Sequence, residues 1–131
     1  MIRITLVAIF LVAHCAYSSP LQGSINQFLG AISNDPTQDL QNDPCAKKSD
    51  QDATKCLYEK IPNLDMQDPD IKYRCCISWV ANDCLASAGK TDCTATELAA
   101  LTKILNEIIA MGDAGSCKAY PYTKDIKTCT K

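Results

Sequence analysis

Apolar positions recur at helical spacing along most of the chain. Leu21, Ile25, Phe28, Leu29 and Ile32 fall on one face of a helix, so Leu21 to Ile32 reads as an amphipathic helix that Asn34-Asp35-Pro36 stops. The stretch from Thr37 to Pro44 is polar and reads as a loop. Ser49 and Asp52 are spaced like a capping box, which predicts a second helix from near Ser49 to Tyr58 or Lys60, closed by Pro62. Asp68, Pro69 and Asp70 mark the start of a third: a cap, a first-turn proline and an acid at the positive end of the helix dipole. On it Tyr73, Cys76, Ile77, Val80 and Cys84 make one apolar stripe, with Ile71, Cys75 and Trp79 beside it. So wide an apolar arc predicts a central helix, with Gly89 as its stop. Thr94 and Glu97 form a second capping box before Leu98, Leu101, Leu105, Ile108 and Met111, and Gly112 is placed to end that helix. The remainder, with Tyr120-Pro121-Tyr122, has no period. No strand alternation competes. The pattern predicts an all-α, disulfide-stapled bundle of four to five helices with an irregular C-terminal tail.

The first residues bear on compartment. Arg3 precedes an apolar run from Ile4 to Ala13, broken only by Thr5, and Ala16-Tyr17-Ser18 is a small-x-small cleavage pattern. The run is shorter than the ~20 apolar residues that span a bilayer, and no later stretch is longer. Residues 1–18 therefore read as a signal peptide, and 19–131 as one secreted, extracellular domain. Cys15 leaves with the signal. Cys45, Cys56, Cys75, Cys76, Cys84, Cys93, Cys117 and Cys129 remain, an even set behind a signal and hence a disulfide framework. No pair of them has the two-to-four-residue spacing of a zinc site. Which cysteine joins which stays open, with one restriction. If Cys75 and Cys76 lie on a helix their Cβ vectors diverge, so they bond to two different segments.

Charge excludes more than it assigns. The net charge of −2 argues against a nucleic-acid binder and against a cationic membrane-lytic peptide. Asp35 to Asp70 holds nine acids against four lysines, and beyond Ile71 bases outnumber acids. The only histidine, His14, lies in the signal, so the mature chain lacks the parts for Ser–His–Asp or Cys–His catalysis. Asp65, Asp68 and Asp70 cluster where helix capping already accounts for them. No catalytic residue, metal or cofactor is expected.

Adjacent cysteines on a helix invite comparison with secreted phospholipases A2. There, however, Cys-Cys-x2 precedes a histidine, and here Trp79 stands in that place. The spacing Cys75-x8-Cys84-x8-Cys93 is similar to the last three cysteines of insect odorant-binding proteins, helical carriers of small apolar ligands. Upstream that family has two cysteines three residues apart, and this chain has Cys45 and Cys56. Cys-Cys-x2-Trp-x4-Cys with a cysteine-tied Tyr-Pro-Tyr tail also resembles cysteine-rich helical proteins of arthropod gland secretions, of venom or saliva type. Two expectations follow. The first is a secreted, toxin-like, non-enzymatic protein that recognises an extracellular protein through its surface, with Tyr120, Pro121 and Tyr122 as candidate contacts. The alternative is a carrier whose cavity is lined by Phe28, Trp79, Val80, Leu101 and Leu105. In both readings the chain acts as a monomer.

Overall fold

The computed structural model describes residues 40–130. The expected signal peptide, the helix Leu21 to Ile32 and Phe28 within it lie outside the described residues. Three long helices organise the rest: α1 (Pro44–Lys60), α2 (Ile71–Asp92) and α3 (Ala95–Ala114). Residues 40–42 are also helical, and no strand occurs among the described residues. The fold is all-α and stapled by disulfides, and the chain after α3 is irregular, as the pattern predicts.

Helix α1 begins earlier than expected. Asp43 is its N-cap, accepting from the Ala46 N–H at 2.9 Å, and Pro44 occupies the first turn. Proline suits that position because its missing N–H would have no helical partner there. The polar loop expected as far as Pro44 is thus cap and helix from residue 40 onward. Ser49, expected to cap, is instead a fully buried mid-helix residue. Its Oγ lies 3.4 Å from Cys93 Sγ and 3.9 Å from Cys45 Sγ.

Helix α2 starts two residues later than Asp68 and Pro69 suggest. The N-cap is Asp70, whose Oδ1 accepts from Lys72 N at 3.2 Å, while Asp68 Oδ1 accepts from Asp70 N at 2.9 Å. The helix then runs through Gly89 to Asp92. Gly89 is buried where α1 and α3 approach: a Cβ there would lie 2.9 Å from Leu98 Cδ1 and 3.3 Å from Cys45 Sγ. Close approach, and not a helix stop, explains this glycine. The Thr94–Glu97 capping box forms as read, with both reciprocal bonds present. Gly112 does not end α3, which continues to Ala114 with Gly115 as its cap.

Helix α2 is the centre. It packs along α1 and, more lightly, against α3. The main core joins Leu40, Leu57, Tyr73, Ile77, Val80, Leu85, Leu101, Leu105 and Ile108, all buried. Each such side chain contributes about 1.5–3 kcal/mol by leaving water. A second, smaller cluster gathers Cys75, Trp79 and Cys117, with Ile109, Tyr122 and Ile126 packed on it. That second cluster carries the C-terminal tail.

Candidate functional site

Four disulfides use all eight cysteines among the described residues: Cys45–Cys93, Cys56–Cys84, Cys75–Cys117 and Cys76–Cys129. The neighbours Cys75 and Cys76 bond to two different points of the tail, as diverging side chains on a helix require. Residues 117–129 are therefore a loop whose two ends are fixed to consecutive residues of α2.

The loop is also held from within. Trp79 Nε1 donates to the Tyr120 carbonyl at 2.9 Å, and Asp113 Oδ1 accepts from Tyr122 N at 2.8 Å. The Asp83 carboxylate takes two bonds, one from the Tyr122 hydroxyl and one from Asp125 N at 2.9 Å. The Tyr122 ring stands edge-on to Trp79, with centroids 5.5 Å apart. Burial first, then the hydrogen bond and charge of Asp83, push the Tyr122 phenol above its ordinary value. Tight turns precede this contact: Cys117 N donates to Gly112 O at 2.9 Å and Tyr120 N to Cys117 O at 2.9 Å. Asp125 takes a left-handed backbone, φ 61°, a region where Asp is among the few tolerated side chains.

This arrangement separates the three tail residues singled out in the sequence. Tyr122 faces inward and anchors the loop. Tyr120 is 38 % exposed and Pro121 is exposed, flanked by exposed Lys118, Thr123 and Lys124. The anchors Asp83 and Asp113 were not legible as such, because nothing in the sequence distinguishes them from other helix-surface acids.

Of the expected cavity residues, Phe28 lies outside the described residues. Val80, Leu101 and Leu105 belong to the main core, and Trp79, 2 % exposed, belongs to the second cluster. An open depression of about 370 Å3 lies elsewhere, lined by Asn42, Asp43, Ala100, Lys103, Ile104 and Glu107. Among the acids, Asp65, Asp68 and Asp70 each accept a backbone N–H two residues on. Asp92 is raised above the usual carboxyl range, first by a hydrogen bond shared with Asp52 and then by burial. Glu97 is lowered, first by Lys48, which it meets at 2.8 Å. Among the described residues no group of three or more His, Cys, Asp or Glu is placed to hold a metal ion, and no helix is long and apolar enough to cross a membrane.

Compared with known proteins, the chain matches no family model, no curated protein and no solved structure.

Proposed function

We propose that this is a secreted, non-enzymatic protein that acts by surface recognition, and that its recognition element is the loop 117–129. One observation carries the reading: the loop is fixed to α2 by two disulfides at adjacent residues, while Tyr120 and Pro121 face solvent. A loop already ordered loses little freedom when a partner docks, and this raises affinity without new contacts. Tyrosine is among the side chains that most often carry binding energy at such surfaces. Four disulfides fit an oxidising compartment, which supports secretion, and residues 1–18 supply the leader that would deliver the chain there.

The test has two arms. Expression of the full chain in a secretory host should release a protein that begins at Ser19 and contains no free thiol. A photo-crosslinking residue at position 120 should then capture a discrete partner from extracellular fluid of the source tissue. Excess wild-type protein should compete for that partner, and the Tyr120→Ala, Pro121→Ala variant should compete at least tenfold less well. Equal competition would remove the loop from recognition. Saturable uptake of an apolar fluorescent probe that changes Trp79 emission would favour the carrier instead.

A further inference from the structure

We propose that the loop 117–129 is the reactive site of an inhibitor of trypsin-like serine proteases, with Lys127–Thr128 as the bond presented to the enzyme. The inference rests on the surface-recognition reading and names its partner. Such proteases pair with an extended stretch of substrate and take one basic side chain into a pocket floored by a carboxylate. The loop offers three exposed lysines, and the backbone chooses between them. Lys118 is wound into turns: its N–H donates to Gly115 O at 3.1 Å, and Tyr120 N closes on Cys117 O at 2.9 Å. Lys124 and Asp125 form the next turn, where Asp125 takes φ 61°. From Ile126 to Thr130 the chain has no helix, no turn and no positive φ. Lys127 is the lysine of this stretch.

Its neighbours hold the stretch in place. Ile126 packs against both apolar clusters, and Cys129, 9 % exposed, is bonded to Cys76. Lys127 and Thr128 between them are exposed, so a basic side chain stands out from a backbone fixed on either side. Upstream, Asp125 N is bonded to Asp83 Oδ2 at 2.9 Å. A segment ordered in this way loses little freedom on docking, and protease–inhibitor pairs change shape little when they meet. The two bridges then decide between substrate and inhibitor. The protease serine hydroxyl adds to the Lys127 carbonyl, and the Thr128 amine leaves with the serine proton. One water then splits the acyl-enzyme into free serine and a Lys127 carboxylate. In a free peptide the two ends diffuse apart. Here Lys127 stays joined through Cys117 to Cys75, and Thr128 through Cys129 to Cys76, the next residue of α2. The ends therefore meet at high effective concentration, and the reverse step, which returns the water, competes with release.

The oxidised mature protein would be titrated into trypsin and, as a control, into chymotrypsin, whose pocket carries no charge, with a chromogenic substrate as readout. Trypsin should be inhibited and chymotrypsin should not. Lys127→Ala should weaken inhibition about a hundredfold or more, as loss of one anchor side chain at an interface does, while Lys118→Ala and Lys124→Ala change it by less than about threefold. Lys127→Phe should move inhibition to chymotrypsin. Because Lys127 is exposed, these variants keep the fold. Intact protein and protein cut at Lys127, each left with a trace of trypsin, should converge on one mixture of the two. Absence of inhibition, inhibition that survives Lys127→Ala, or one-way passage to the cut form would overturn the inference. If a crosslinker at position 120 still captures its partner in that case, the surface-recognition reading stands without it; if nothing is captured, both fail.

Discussion

Gly112 carries no side chain where the Trp79 ring presses on α3, and that contact sets what this position tolerates. A Cβ on Gly112 would lie 2.6 Å from Trp79 Cη2. The indole cannot swing aside: its Nε1 is bonded to Tyr120 O, Tyr122 closes one edge, and the Cys75–Cys117 bridge packs in the same cluster. Gly112→Ala would gain up to about 1 kcal/mol in helix propensity, but overpacking at a rigid ring costs about 1–3 kcal/mol. We expect a net loss, read as a lower urea midpoint with unchanged slope; an unchanged midpoint would mean that the ring moves freely. Tyr122 gives a second test at this scale. Its raised pKa means the fold favours the neutral phenol. That contribution is fully present below the ordinary tyrosine value of about 10 and is lost as pH climbs through the higher folded value. Absorbance near 295 nm should show one late-ionising tyrosine, and Tyr122→Phe should delete that step.

The helix ends show what the sequence carries and where it misleads. The Thr94–Glu97 box is legible because both partners are local and exposed, so no tertiary contact competes for them. Asp43-Pro44 and Asp68-Pro69 present the same local signal, yet only the first is used as cap and first turn. At the second, Asp68 folds back on Asp70 N and passes the cap on by two residues. Ser49 was readable as a cap only while its burial between two cysteine sulfurs was unknown. Gly89 and Gly112 resemble stops, and their true reason is a neighbour from another helix, which no local pattern contains. The loop 117–129 divides the same way: its cysteine ends and Tyr-Pro-Tyr segment are visible in the sequence, and the inward turn of Tyr122 beside an exposed Tyr120 is not. Asp43→Ala should therefore cost about 1 kcal/mol, measured by denaturant unfolding. A null effect would shift the start of α1 away from Pro44.

Across the described residues, α2 takes part in three of the four bridges, through Cys75, Cys76 and Cys84, and Cys45–Cys93 ties the start of α1 to the C-cap of α2. Each bridge contributes about 2–4 kcal/mol, against a total stability of about 5–15 kcal/mol for a typical domain. Reduction should thus abolish cooperative melting of the far-ultraviolet helical signal; an unchanged melt would show that the apolar core suffices alone. The adjacency of Cys75 and Cys76 also governs what a protease can do to the protein. Lys118, Lys124 and Lys127 are exposed, and exposed loops are preferred places for nicking. Yet a cut at any bond between Cys117 and Cys129 sheds nothing, because both new fragments stay moored to neighbouring residues of one helix. A sample cut once in the loop by trypsin should gain the mass of one water and stay a single species until thiol is added, whereas a second cut would free the cysteine-less piece between the two. The first damage to this surface is then recorded in the molecule as a scar, and not as a missing piece.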